Sequence, residues 1–498
     1  MSKLHSNHPI TNSTNQPKVT SSLLIRAFQQ LPAKESRALV EFVRCPLFNR
    51  REEVTRLCEY LAAHIGKPAQ KAFVAESLFE AAFPGELYDN RRLRHVMSYT
   101  LDALRQYFAL AEWQSNKAEC QQTLVRALRN RGLEKLFGKA LDKADSQGER
   151  RNVRDAQHHF QQYQLHQEKL EHKARSERSA SLNLQPLPDE LTIFYVSEML
   201  RHACSALMHQ AVAGQTYHMQ LLDAILSVAE KGEMLETPAV AVYYHAYRML
   251  QSPEDELPFE RLKNLLAQHE NRFGQEEMRG LYLMAINGCI RRMNAGKRAY
   301  IREAFDVYRA ALERNFLTEN GFLSSFTFKN IIRIGAALGE HAWTEQFIEQ
   351  YRNTLQPHER DNSYRYNRAF LYFQKADYAR AMPLLQQVEL EDPLNNLHAR
   401  RMLVRSYFEL GEQDALESVL QSFGAYLNRQ KNLGYHQELN LNFVRFMLRL
   451  IRLPTRDEEG KVSLRKDISA EKQVAEREWL MEKLAEAQSS DDSKSSDE

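Results

Sequence analysis

Residues 364–393, YRYNRAFLYFQKADYARAMPLLQQVELEDP, carry the clearest structural signal in the chain. Apolar residues recur there at helical spacing on both sides of a polar turn that contains Asp377. The first apolar set is Ala369, Tyr372 and Phe373, and the second is Ala381, Leu384, Leu385 and Val388. The pattern predicts two antiparallel helices joined by a short turn, with Pro393 ending the second helix.

The same stretch resembles the tetratricopeptide (TPR) repeat, a helix-turn-helix unit of ~34 residues. Ala369 and Ala381 fall where paired helices approach closely, while Arg368 departs from the pattern at a position that is usually Leu. Divergent units precede and follow it, at spacings of about 34 to 47 residues. The sequence therefore predicts an all-α protein, an irregular TPR-like α-solenoid of antiparallel helix pairs with a helical N-terminal region.

Four further stretches resemble one uncharacterised bacterial family of large helical TPR-like repeat proteins. They are LVEFVRCPLFNRREEVTRL (39–57), LFEAAFPGELYDNRRLRHVMSYTLDAL (78–104), NGCIRRMNAGKRAYIREAFDVY (287–308) and LEDPLNNLHARRMLVRSYFELGEQDALESVL (390–420). The likeness extends from about residue 23 to about residue 453. It implies the helical fold, and it implies no activity, cofactor or catalytic residue.

Composition agrees with a helical, soluble protein. Only 18 Gly and 15 Pro occur in 498 residues, and few Asn-Gly or Asp-Gly pairs signal hairpins, so we expect almost no sheet. Lys and Arg number 67 against 65 acidic residues. This balance gives no global electrostatic reason to expect a nucleic-acid or anionic-membrane partner.

Cysteine usage and the start of the chain predict a cytoplasmic location. The five cysteines are scattered and never form a Cys-x-x-Cys pair, which argues against a disulfide framework and against a thiolate zinc site. The first 22 residues contain no apolar signal region, and no run of ~18 apolar residues follows that would span a bilayer.

The chain divides into five predicted segments. In order they are a disordered tail (1–20), a helical N-terminal domain that ends in a long polar helix (21–184), a TPR-like repeat domain with a C-terminal cap helix (189–453), a charged linker with an amphipathic helix (454–487) and a disordered acidic tail (488–498). The sharpest boundary is QPLPDE at 185–190, because Pro186 and Pro188 favour extended backbone. The helix around Trp479 has three equal alternatives: it docks back on the repeats, pairs with a second copy, or contacts a partner.

Residues 126–178 form a basic segment, with 13 Lys or Arg against 8 Asp or Glu. From about Glu149 to Arg178 we expect one long, solvated polar helix that bridges two parts of the protein. The alternative is a contact surface for an acidic protein or for RNA, with Phe160 and Tyr163 interleaved among the charges. Binding to RNA would weaken steeply with salt. The histidines of this helix lack the spacing of three or four residues that a metal site needs.

Catalytic motifs are absent from the sequence. It has no phosphate-binding loop, no dinucleotide-binding glycine motif, no Gly-x-Ser-x-Gly elbow and no His-Glu-x-x-His. Gly335 and Gly339 are interpreted as close-packing glycines, and His202 and Cys204 lie on different faces of one helix. We therefore expect a non-enzymatic protein without cofactor or metal. An enzyme whose residues meet only in the fold is the weakest alternative.

One set of residues is a candidate partner surface. Alignment with the TPR pattern places Tyr366 and Phe370 of one unit beside Arg401 and Arg405 of the next, on the first helices that line the inner face of such a solenoid. Arginine forks bind carboxylates, and the rings offer apolar contact. The expected function is a protein-interaction scaffold that binds an acidic or extended peptide segment. On this hypothesis, Arg401→Glu with Arg405→Glu abolishes partner capture and leaves folding intact.

Overall fold

The computed structural model describes residues 22–64, 73–176, 183–231, 233–390, 392–430, 433–454 and 457–492. Within them, 23 α-helices and one two-stranded hairpin account for nearly all regular structure, which confirms the all-α prediction. The predicted tail at 1–20 lies outside the described residues. The chain forms two compact units, one within residues 1–151 and 161–187 and the other within residues 152–160 and 188–498.

The first unit contains eight of the described helices. They are α1 Leu23–Gln30, α2 Ala33–Arg44, α3 Glu52–Ala63, α4 Ala75–Ala82, α5 Asn90–Ser115, α6 Lys117–Asn130, α7 Glu134–Arg150 and α8 Ala156–Ser176, whose first five residues belong to the second unit. Helices α1 to α5 enclose one apolar core, in which Leu57, Leu78 and Phe79 are almost fully buried. A smaller core joins Val125 of α6 to residues of α7 and α8.

Helix α8 corrects the prediction of a long solvated helix from Glu149 to Arg178. Helix α7 ends at Arg150, a break follows, and α8 begins only at Ala156. Its Leu165 is 3% exposed in the small core with Val125, and its Glu168 is 6% exposed. Charged residues dominate the sequence of this helix, and they favoured the prediction of a solvated helix. Ion pairs within the protein allow charged side chains such as Glu168 to be buried.

The second unit contains the remaining described helices, apart from residues 186–187 at the start of the first of these helices, which belong to the first unit. They are α9 Pro186–Ala213, α10 Leu222–Glu230, α11 Pro238–Gln251, α12 Leu257–Gln268, α13 Gln275–Asn294, α14 Tyr300–Glu313, α15 Ser325–Ala337, α16 His341–Tyr351, α17 Arg360–Gln374, α18 Tyr378–Leu385, α19 Pro393–Glu409, α20 Gln413–Arg429, α21 Tyr435–Arg452, α22 Glu458–Ala470 and α23 Arg477–Asp492. Between α14 and α15, β1 Thr318–Glu319 and β2 Phe322–Leu323 pair antiparallel around an Asn-Gly turn.

Helices α17 and α18 form the predicted helix-turn-helix of residues 364–393. The Asp377 side chain caps α18 by accepting a hydrogen bond from the backbone N–H of Arg380 at 3.3 Å. Ala369 and Ala381 are fully buried, as their close-approach role requires. Pro393 occupies the first turn of α19, and α18 already ends at Leu385, so this proline begins a helix and does not close the preceding one.

The structure also differs from the boundary predicted at 185–190, where two prolines lie in a helix. The expected extended backbone is helical, because α9 begins at Pro186 and includes Pro188 in its first turn. The first-turn N–H groups of a helix have no partner within the helix, so proline costs little there.

The two glycines interpreted as packing residues have different roles. Gly335 lies within α15, and a Cβ there would clash with Thr344 Oγ1 of α16, so the expected close approach is found. Gly339 follows the helix with φ +72°, and a Cβ there would meet nothing within 4 Å. Glycine suits this position because the backbone is left-handed there, and residues with a Cβ atom disfavour that conformation.

The C-terminal core extends beyond the predicted cap helix. Residues 458–470, expected within a charged linker, form helix α22, whose Leu464 and Ile468 are fully buried. These side chains and three from α23 complete the core of α19, α20 and α21. The two apolar residues lie one helical turn apart, but the surrounding charges hid this short stripe. Helix α23 continues to Asp492, so it includes residues 488–492 of the acidic tail that the sequence analysis predicted to be disordered.

Candidate functional site

Arg401 and Arg405, one turn apart on α19, bind one carboxylate from the same chain. Nε of Arg401 donates to Oε1 of Glu476 at 2.9 Å, and Nη1 of Arg405 donates to Oε2 at 2.8 Å. The three side chains are 18%, 21% and 22% exposed, so the pairs are largely shielded from water. The two arginines share a helix face, and their described acceptors, Glu476 and the Asn440 Oδ1 that accepts from Arg401 at 2.9 Å, belong to the same chain. Any partner that uses them must replace or extend this contact.

Trp479 extends the contact along the same surface. Its ring lies 4.9 Å from the Arg405 guanidinium and 5.3 Å from the Phe408 ring, and its Nε1–H donates to Glu409 Oε1 at 2.9 Å. The side chain is 6% exposed. Of the three alternatives for this helix, the structure shows docking on the same chain. Glu476, just before α23, adopts φ +54°, which turns the chain onto the arginines.

Tyr366 and Phe370 lie within the packed interior of the second unit. They are 2% and 9% exposed. Nη2 of Arg333 donates to the Tyr366 hydroxyl at 3.1 Å, and His398 Nδ1 lies 3.0 Å from the same oxygen. The Arg333 guanidinium lies 5.7 Å from the centre of the Phe370 ring. Both rings contact the Arg333 guanidinium, and their role in contacting a partner stays a prediction.

Four cations surround His398, and we call Lys329, Arg333, Arg401 and Arg405 the basic cluster. Burial lowers the pKa of His398 to about 3, and all four positive charges add to this fall. Among the described residues, Glu476 is the one carboxylate within 4.0 Å of any member of the cluster. Nε of Arg333 and of Arg405 is buried without a hydrogen bond to the part of the chain that the structure describes. The cluster therefore has excess positive charge and unused donors.

The basic segment 126–178 pairs several of its charges internally. Arg126 and Arg129 both contact Glu168, at 3.0 and 2.5 Å. Lys169 contacts Asp145 at 2.8 Å. These ion pairs neutralise part of the positive charge on which the nucleic-acid alternative depends.

A second group of titratable side chains surrounds Glu277 of α13. The Tyr243 hydroxyl donates to Glu277 Oε1 at 2.8 Å. Burial raises the pKa of Glu277 to about 7; Asp155 and Glu198 contribute to the rise, while Tyr243 and Arg201 oppose it. The carboxyl therefore changes charge near neutral pH.

Glu277→Gln should stabilise the protein above pH 7 and have little effect at pH 4.5. The native state binds this proton more tightly than the unfolded state does, so stability falls as pH rises from about 4.5 to about 7 and then levels. The amide keeps the acceptor for Tyr243 and removes the charge, for an expected gain of about 1 to 3 kcal/mol at pH 8. Urea unfolding across this range measures it. The exposed neighbour variant Glu276→Gln is the control, and a gain that is constant with pH contradicts the prediction.

The described residues do not bring together the side chains that a metal site or a catalytic thiol needs. No group of three or more His, Cys, Asp or Glu there has the geometry to hold a metal ion. Burial raises the pKa of the Cys58 and Cys289 thiols to about 12. Cys204 is buried 3.6 Å from the Tyr243 carbonyl oxygen, whereas His202 lies near Glu198, so the two form no catalytic pair. No helix in the described ranges has the length and apolarity to cross a bilayer.

The sequence analysis did not predict three residues of the surface around Arg401 and Arg405, namely Lys329, Arg333 and Glu476. Lys329 and Arg333 have the same four-residue spacing as Arg401 and Arg405, so the pattern that found one pair could have found the other. Glu476 follows Arg401 by 75 residues, and no spacing rule connects them. Comparisons of the chain with protein-family models, with curated proteins and with solved structures found no match.

Proposed function

We propose that this chain is a non-enzymatic, cytoplasmic interaction protein, built as an irregular TPR-like solenoid, that binds an acidic extended segment of a partner protein. The proposed surface follows the first helices of successive pairs, α15, α17 and α19. The observation that carries the proposal is the basic cluster, in which four cations surround a neutral, buried His398 and one internal carboxylate pairs with two of them.

The contact with Glu476 supports the chemistry of this partner. Two arginines take one carboxylate by charge-assisted hydrogen bonds, and an aromatic ring three residues further on lies against Arg405. A segment that combines acidic and aromatic residues therefore suits this surface. Lys329 and Arg333 lie on α15, and neither has a carboxylate within 4.0 Å among the described residues, so they offer positive charge for further carboxylates.

Arg333→Gln tests the proposal without breaking an ion pair, since Arg333 has no carboxylate within 4.0 Å in the described residues; losing its hydrogen bond to Tyr366 should cost only about 1 kcal/mol of stability. We expect a fluorescein-labelled hexaglutamate peptide to bind the full chain, and this variant to bind it about fivefold or more weakly. Anisotropy titrations at about 50 mM and about 300 mM salt should also show weaker binding at high salt, because ions screen the cluster.

A matched control separates local from general charge effects. Arg298→Gln removes one exposed positive charge before α14 and should leave the affinity unchanged. A hexalysine peptide should not bind. Equal binding of both peptides, or equal loss in the two variants, overturns the proposed surface.

A further inference from the structure

A cavity of about 410 Å³ lies beside Tyr366, between α15, α17 and the segment that leads into α19. Its lining includes Phe326 and Lys329 from α15, Asn367 from α17, and Leu390 from the connecting segment. This volume is within the range of small-molecule sites in proteins.

Asn367 gives the cavity an unused hydrogen-bond acceptor. The residue is 2% exposed, and its Nδ2 donates to the Ser363 carbonyl oxygen at 2.8 Å. Its Oδ1 is buried and accepts no hydrogen bond from any residue that the structure describes. Exchanging the two amide atoms would place two oxygens against each other, so the carbonyl of Ser363 fixes this orientation. An occupant of the cavity that carries an N–H or O–H group would supply the donor that this acceptor lacks within the described residues.

Charges of both signs line the same cavity without pairing. Lys329 is partly buried, and its Nζ approaches the neutral Asn395 Oδ1 at 3.4 Å. Glu359, Glu389 and Asp392 also line the cavity. Among the described residues, none of these four charged side chains has an ion-pair partner within 4.0 Å. Asp392 attracts Lys329 only at longer range.

We infer that this cavity binds a free α-amino acid. The carboxylate of the ligand pairs with Lys329, and its ammonium donates to Asn367 Oδ1 and to the Glu359 or Glu389 carboxylate. Its side chain lies against Leu390 and Phe326, a ring that is 65% exposed. A purely anionic or purely cationic ligand would leave one sign of charge unmatched, whereas a zwitterion satisfies both.

The cavity shares Lys329 with the peptide surface proposed above, and the two proposals differ in the second residue that each ligand requires. The α-amino acid requires Asn367 Oδ1, and the acidic peptide requires the charge of Arg333. We therefore expect Arg333→Gln to keep amino-acid binding, so that the two proposals fail separately.

Thermal unfolding of the full chain with each of the twenty L-amino acids at about 10 mM tests the inference, because a ligand that binds only the native state raises the midpoint. At least one amino acid should raise it, and calorimetry should then give a dissociation constant. The amide of that amino acid lacks the carboxylate and its N-acetyl derivative lacks the ammonium, so both should bind at least about tenfold more weakly.

Variants locate the site. Asn367→Ala and Lys329→Met should each weaken binding about tenfold or more, and Arg298→Gln should not. The comparison of the amino acid with its amide and its N-acetyl derivative uses the unaltered protein, so it tests the inference even if Asn367→Ala fails to fold. No midpoint shift with any amino acid overturns the inference, as does equal binding of the N-acetyl derivative. Binding of dipeptides without binding of free amino acids also overturns it, in favour of a peptide site.

Discussion

Arg401→Glu combined with Arg405→Glu should lower the free energy of unfolding of the second unit by at least about 3 to 5 kcal/mol, because it leaves Glu476 without its cations among like charges. The sequence alone predicted that this double variant folds normally. The structure changes that expectation, since the arginines hold the segment that begins α23. Urea unfolding followed by circular dichroism measures the loss, and limited proteolysis should show early cleavage near residue 476.

Two further variants show whether the loss is specific. Adding Glu476→Arg to the double variant reverses all three charges and should recover a substantial part of the stability. Arg91→Glu with Arg94→Glu makes the same change in charge on exposed positions of α5 and should cost less than about 1 kcal/mol. Similar losses in the two double variants, or no recovery on reversal, would show that the contact with Glu476 does not stabilise the fold.

Trp479→Ala should be about as severe, with an expected loss of about 3 to 5 kcal/mol from the cavity it creates. The ring is 6% exposed, and it packs against Phe408 and Arg405. Trp479→Phe keeps much of the packing and removes the N–H that donates to Glu409, so it should cost only about 1 to 2 kcal/mol.

The same unfolding measurement compares these two variants. A loss below about 1 kcal/mol for Trp479→Ala would mean that α23 contributes little to the core. Equal losses for alanine and phenylalanine would assign the stabilisation to the hydrogen bond and would contradict the packing argument.

The local parts of the fold could be predicted from the sequence where periodicity was strong. The pair α17 and α18 follows from apolar spacing in residues 364–393, and the polar turn predicted at Asp377 lies between them. The prediction was wrong where one residue type, proline, is common in two kinds of backbone structure. Pro186 ends an extended segment in one context and begins a helix in another, and only the packing of α9 decides between them.

The candidate site was predictable only within single helices. Spacing of four residues placed Arg401 and Arg405 together, but the burial of Tyr366 and the arrival of Glu476 depend on contacts across 33 to 75 residues. Charge counts misled in α8 and α22, since the sequence does not show which charges find internal partners. Asn367 carries no sequence signal, because an unused acceptor is a property of its surroundings.

The last helices of the second unit have a consequence for synthesis of the chain. Leu397 and Val404 of α19 share a core with Leu480 and Leu484 of α23, about 80 residues later in translation. While the ribosome adds those residues, the apolar face of α19 to α21 lacks its cover and is open to chaperones and proteases. A product interrupted before α23 keeps that face exposed, so quality control in the cell can distinguish it from a product in which α23 has docked.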